Sequence, residues 1–242
     1  MPPPARRPPT HPPPSREGTE CGLAYTLWLP DEEPPWPGIL ILHGAGSCKE
    51  SHADFARLAR ASGWAALGFD ARGHGASEGG MSPGAVEDVV AMAALLAGER
   101  GVDSERVIVR GSSMGGFLAL HAAAVSAAIA GVIAICPASE DGLRRGLKRG
   151  RFEMRIHDLE GLRAWLGEHD LREAVELIGP RPLIFLHAEG DDQVPLAWTR
   201  ELHDRAIGPR KLIVEPGGNH RSVQHDAELQ ATALRWIERA LG

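Results

Sequence analysis

The sequence lacks several features that mark a class directly. No apolar run approaches the roughly 20 residues that a membrane span needs. The three cysteines, Cys21, Cys48 and Cys136, are odd in number and form no CxxC pair. That excludes a disulfide framework or a zinc ribbon, and fits buried or half-buried free thiols in a reducing compartment, the cytoplasm. There is no basic excess either: the formal net charge is −6 and the pI about 6.0. A nucleic-acid binder needs a basic balance or face. The first residues carry Arg6 and Arg7 but no apolar h-region, so they do not read as a secretory signal.

Proline is abundant at the start, with eight in the first fourteen residues. Such a stretch makes neither a helix nor an inner strand. Residues 1–17 therefore read as a disordered or polyproline arm, with a docking motif for a proline-reading partner as the sharper alternative. The remaining chain, 18–242, is long enough for one large core, and its 43% hydrophobic and 24% charged residues are ordinary for a globular protein.

After Gly18, apolar runs alternate with helical patterns. Leu23–Leu29 reads as a strand stopped by Pro30, and 31–37 as a turn. Residues 38–42 (Gly-Ile-Leu-Ile-Leu) form a continuous apolar run, the mark of a strand buried on both faces. Further strands are expected at 64–69, 107–109, 131–136, 182–187 and 211–214. Helices are expected from a cap near Ser51, from Ser82-Pro83 with a capping hydroxyl, after 111–116, near 196–206 and at 223–240. This alternation implies an α/β fold with a mostly parallel sheet and helices on both faces. The site of such a sheet lies at the carboxyl ends of its strands.

Residues 138–180 break the alternation. They hold helical patterns but no strand, and read as a small cap inserted over the sheet. Asp170 opens one helix, with Leu171, Ala174, Val175 and Ile178 as its apolar stripe; Leu159, Leu162, Trp165 and Leu166 mark another. The cap begins with Arg144, Arg145, Lys148, Arg149 and Arg151. A solvated helix face is the default reading of that run, and steering of acidic substrates the alternative. Phe152 and Trp165 read as packing residues rather than pocket walls.

Residues 111–115 (Gly-Ser-Ser-Met-Gly) match the G-x-S-x-G nucleophile elbow, which lifts a serine above the sheet on a tight strand-to-helix turn. At this composition such a pentapeptide arises by chance in roughly one chain in five of this length, so context must carry it. Here a strand pattern precedes it and an alanine- and leucine-rich helix follows. A serine hydroxyl needs a base. His220, on the loop after the last strand, is the best placed of the eleven histidines, with His225 its nearest competitor. The base needs an orienting carboxylate. Asp191 and Asp192 both follow the strand at 182–187, and Asp191 has the better spacing before Val194-Pro195. The oxyanion of an acyl-transfer intermediate needs preset donors. The backbone N–H of Met114 is one, and that of Ala45, in the segment 43–46 (His-Gly-Ala-Gly), the other. His43 itself reads as structural.

Taken together, these segments resemble the α/β-hydrolase superfamily over residues 18–242, in particular its short-capped esterase, lipase and serine-aminopeptidase-like branch. The carriers are 43–46, 70–77 (Asp-Ala-Arg-Gly-His-Gly-Ala-Ser), 111–115, 191–195 (Asp-Asp-Gln-Val-Pro) and 218–220 (Gly-Asn-His). The resemblance implies an eight-stranded, mainly parallel sheet and supports Ser113, Asp191 and His220 as a triad. It makes 70–77 a structural loop, so neither Arg72 nor His74 is expected in catalysis. Serine at position 113 disfavours dehalogenase, epoxide hydrolase and dienelactone hydrolase chemistry. The expected activity is hydrolysis of a small-molecule carboxylic ester, with no metal or organic cofactor and no nucleic-acid partner. Peptidase, amidase or thioesterase action on the same triad is one alternative. A non-catalytic ligand-binding module, with a damaged triad, is another.

Overall fold

A continuous apolar run is poorly suited to turning one face to water, and the inner runs here become strands buried on both faces. The computed structural model describes residues 12–242. Within it lie β1 (Arg16–Glu20), β2 (Leu23–Trp28), β3 (Trp36–Leu42), β4 (Ala65–Phe69), β5 (Val102–Ser112), β6 (Val132–Ile135), β7 (Leu183–Ala188) and β8 (Arg210–Glu215). They form one eight-stranded sheet in the order β1-β2-β4-β3-β5-β6-β7-β8. β1 pairs antiparallel with β2, and β2 with β4. The pairings from β4 through β8 are parallel, as expected for a mainly parallel α/β sheet.

The helices are α1 (Ala53–Ala61), α2 (Ala85–Ala97), α3 (Met114–Val125), α4 (Glu140–Lys148), α5 (Leu159–Gly167), α6 (Leu171–Leu177), α7 (Leu196–Arg205), α8 (Ser222–His225) and α9 (Ala227–Leu241). Strand periodicity divides the core between two layers. In β3, Leu40 and Leu42 face the layer that holds α2, α3, α6 and α7, while Ile39 and Ile41 face the layer of α1, α8 and α9. The segment between β6 and β7 holds three helices and no strand. Its α4 and α5 pack together and α6 packs on α3.

Several local expectations change. The sheet begins at Arg16, with Arg16 and Glu17 paired to Leu27 and Thr26. The part of the arm reading that covers residues 1–11 lies outside the described residues. Ser82 does not cap α2. Gly84 occupies the N-cap, and the Ser82 hydroxyl accepts a hydrogen bond from Arg72 instead. The final helical stretch is split, because Asp226 ends α8 and its carboxylate caps α9 through the Leu229 amide at 2.7 Å. Cys21 is exposed rather than buried.

Burial also sets a pH dependence. It holds three histidines neutral, lowering His43 to about 4, His121 to about 3, and His52, beside the Arg110 charge, to about 2. The unfolded chain takes up protons at these positions once pH falls below about 6.5, whereas the folded chain resists until near 4 or lower. Stability should therefore fall as pH drops from about 6.5 to 4. The urea midpoint is expected to be lower at pH 4.5 than at 7.5, and His121→Phe should shrink that difference. The His121 Nε2 is buried without a hydrogen-bond partner. A midpoint constant across this range contradicts the account.

Candidate active site

Ser113 is the one residue between the end of β5 and the start of α3. Its backbone is left-handed, φ +53° and ψ −115°, a conformation that costs a non-glycine residue about 1–3 kcal/mol and persists only where the surroundings enforce it. Three backbone hydrogen bonds do so. The Ser113 amide donates to Ile135 O at 2.9 Å, and its carbonyl accepts from Phe117 and Ala138 at 3.1 Å each. Close approach fixes the flanking residues. A Cβ on Gly111 would stand 2.1 Å from the Gly115 carbonyl oxygen, and one on Gly115 would stand 2.6 Å from that of His43.

The last two parallel strands deliver the polar partners. Asp191 follows β7 and its side chain is fully buried. One carboxylate oxygen accepts from the amides of Gln193 at 2.8 Å and Val194 at 2.9 Å; the other accepts from Nδ1 of His220 at 2.7 Å. Burial alone would raise this carboxyl. The hydrogen bond from His220, reinforced by the two amides, instead holds it down at about 2. Asp191 is thus a carboxylate at neutral pH. It also orients the imidazole, leaving Nε2 of His220 free to work as a base.

Local hydrogen bonds hold the His220 loop. The Asn219 side chain accepts from the amides of Arg221 at 2.9 Å and Ser222 at 3.1 Å, and the Ser222 hydroxyl donates to Glu215 at 2.8 Å. The Gly190 amide donates to Gly217 O at 2.8 Å, joining the Asp191 and His220 loops. Asp192 and His225 are not part of this pair. Asp192 is exposed on the cleft. His225 bonds Asp54 at 3.0 Å and stacks on His52.

Ser113, Ala45 and His220 open onto one cleft of about 770 Å³ beneath α4. The Gly44–Ser47 turn, closed by the Ser47 amide on Gly44 O at 3.2 Å, carries Ala45 past the elbow. Met114 supplies the first amide of α3, and first-turn amides have no intrahelical acceptor. His43 is structural as expected. Its Nδ1–H donates to Gly44 O at 2.8 Å and its Nε2 accepts from the Ala71 amide at 3.0 Å. The 70–77 segment is likewise tied down. Asp70 accepts from the amides of Lys49 at 2.7 Å and Ala76 at 2.9 Å, and Arg72 pairs with Asp88. Phe152, read as packing, does line the cleft, whereas Trp165 packs edge-on against Phe117.

Two neighbours of Asp191 were not expected from the sequence. His187, buried in β7, has Nε2 at 3.6 Å from the carboxylate, but it bonds Val194 O at 3.0 Å and the Thr199 hydroxyl at 2.8 Å. A histidine inside an apolar strand gives no sequence signal of this role. Cys136 follows β6 directly, and its sulfur lies within 4.8 Å of ligand atoms of Asp191 and His220. Burial pushes that thiol up, so it stays neutral, and His220 already occupies the facing carboxylate oxygen. A metal would need a thiolate there, so this donor set does not suit one.

A family model described as serine aminopeptidase, S33, matches residues 34–159. That span includes Ser113 and Ala45 and stops short of Asp191 and His220. A multifunctional-autoprocessing repeats-in-toxin protein of Vibrio cholerae serotype O1 is 36% identical over 101 residues, which cover 39% of this chain. The chain spans only 2% of that toxin's length. Among solved structures, the α/β hydrolase GrgF from Penicillium sp. sh18 superposes with a TM-score of 0.79 at 18% identity, covering 93% of this chain and 98% of that one. Est1E from Butyrivibrio proteoclasticus, with ferulic acid bound, superposes with a TM-score of 0.72 at 19% identity, covering 94% and 98%. At such identities the likeness establishes the α/β-hydrolase fold alone.

The close approach at the elbow has a direct consequence. Gly111→Ala is expected to cost at least about 2 kcal/mol of folding free energy, because the clashing atom is backbone and cannot turn aside. Ala91→Gly, at an exposed position of α2, should cost about 1 kcal/mol by helix propensity alone. Urea unfolding of both variants checks this, and equal losses would contradict the steric account.

Proposed function

The chain belongs to the serine aminopeptidase S33 family of α/β hydrolases, and on that premise we propose that it hydrolyses carboxylic esters of small or medium acyl groups. The observation that carries this reading is the 2.7 Å bond from His220 to the buried Asp191, on the same cleft as the left-handed Ser113. In the proposed reaction the Ser113 hydroxyl attacks the ester carbonyl while Nε2 of His220 takes its proton. Asp191 stabilises the imidazolium that forms. The amides of Ala45 and Met114 receive the oxyanion, which strengthens as the carbonyl becomes tetrahedral. His220 then protonates the leaving alcohol, and an acyl-serine remains. Water, deprotonated by His220, attacks that acyl group and releases the acid, restoring the serine. No helix among the described residues is long and apolar enough to cross a membrane. With three free cysteines, the proposed setting is the cytoplasm.

The family's name favours a second reading, that of an aminopeptidase. Such an enzyme must hold a cationic amino terminus, which calls for carboxylates at the cleft. Instead, among the described residues, Arg145, Arg149, Arg151 and Arg221 line it against one carboxylate, that of Asp192. That balance favours the ester reading.

Turnover of matched 4-nitrophenyl esters, thioesters and anilides tests the choice. Esters should be cleaved fastest. Ser113→Ala should abolish turnover, and Asp191→Asn should lower kcat by about 10⁴-fold by leaving His220 in the wrong tautomer. Circular dichroism would verify that both variants fold. Faster anilide than ester cleavage, or full ester activity in Ser113→Ala, would overturn the proposal.

A further inference from the structure

The four arginines of the cleft come from two separate segments. Arg145, Arg149 and Arg151 sit at the end of α4, and Arg221 follows His220 just before α8. The chain places the first three by a Schellman turn. Gly150 adopts φ +60°, its amide donates to Leu147 O at 3.1 Å, and the Arg151 amide donates to Gly146 O at 3.1 Å. The reversal lays Phe152 against Gly146, where a Cβ would stand 2.2 Å from the ring. Arg145 and Arg149 before the turn, and Arg151 after it, thereby reach the same cavity.

Arginine at a helix end also has an ordinary explanation, since the negative end of the helix dipole favours cations. That accounts for Arg145 and Arg149 but not for Arg221, which belongs to another segment. Nor are these residues neutralised. Among the described residues none of the four forms an ion pair with a carboxylate, whereas the neighbouring Arg144 pairs with Asp141 at 3.6 Å. Arg72 and Arg172, elsewhere in the fold, are paired too. The positive cleft stands on a chain of net charge −6, so the charge is local and opposite in sign to the whole. Concentrating cations at a concave site raises the local concentration of an anionic ligand. Guanidinium forks match the oxygens of carboxylate and phosphate.

We infer that the cleft takes esters that carry an anionic oxygen group, a carboxylate or a phosphate, which Arg145, Arg149, Arg151 and Arg221 hold while Ser113 meets the ester carbonyl. This rests on the reading of Ser113 as the acyl-transfer nucleophile. A cleft of about 770 Å³ suits a small-molecule ester of that kind.

The test compares mono-4-nitrophenyl succinate with 4-nitrophenyl butyrate, which differ mainly in the terminal carboxylate. In the intact protein kcat/KM for the succinate should exceed that for the butyrate at least tenfold, and the ratio should shrink as salt rises. In the variant R145Q/R149Q/R151Q the ratio should fall at least tenfold, while Arg144→Gln should change it less than twofold. A ratio near one in the intact protein, or one untouched by the triple substitution, would overturn the inference and leave the esterase reading standing. Succinate and inorganic phosphate, tried as competitive inhibitors, distinguish a carboxylate from a phosphate preference. If neither ester turns over, the esterase reading fails, and calorimetric titration of the same two anions decides. Millimolar or tighter binding lost in the triple variant upholds the anion site; no binding overturns it.

Discussion

The structure depends on one awkward residue. Ser113 is held left-handed between a strand and a helix, and the surrounding chain is arranged to keep it there. β3 must end close enough for the His43 carbonyl to touch the Gly115 backbone, and β6 must present Ile135 O to the Ser113 amide. The strain is local, but it is maintained by three parallel strands and by glycines that no side chain could replace. A hydroxyl lifted clear of the sheet, beside the first amide of α3, is the consequence.

Behind the elbow, a buried arginine joins the central strand to the helices on one face of the sheet. Arg110, fully buried in β5, reaches Gln230 of α9 at 3.0 Å, Gln224 O at 2.9 Å and His52 at 3.3 Å, and lies over the Phe55 ring. It therefore ties the strand that ends in the elbow to the segment just beyond His220. Burial without a carboxylate partner lowers this guanidinium to about 9, still charged at neutral pH. Such a group costs folding energy unless every donor is satisfied, so the network favours one relative position of the elbow and the base loop.

Much of the fold was legible in the sequence because burial on both faces leaves little choice of residue. The runs at 38–42, 64–69 and 182–187 announce their strands. β1 was not legible: Arg-Glu-Gly-Thr-Glu is an edge strand, largely exposed, whose register is set by pairing with β2 rather than by its own pattern. Strand β5 outran its apolar core because a buried arginine reads as a boundary until its partners are known. Ser82 misled because Arg72 claimed the hydroxyl expected to cap α2. At the site, position after the last strand pointed to His220 and spacing before Val194-Pro195 to Asp191, and the two are hydrogen-bonded at 2.7 Å. The roles of His187 and Cys136 depend on contacts across strands, which spacing does not carry.

The cleft then gives the elbow its context: Ser113 and His220 share it with the arginines at the end of α4, with Asp191 buried behind. The central claim is that Ser113 is a nucleophile activated by this arrangement. Labelling of the folded protein with a fluorophosphonate, read by mass spectrometry of the digested adduct, tests it most directly. The account predicts a single adduct on Ser113, lost in His220→Ala. No adduct on the folded protein, or one on another residue with Ser113 unmodified, would contradict it.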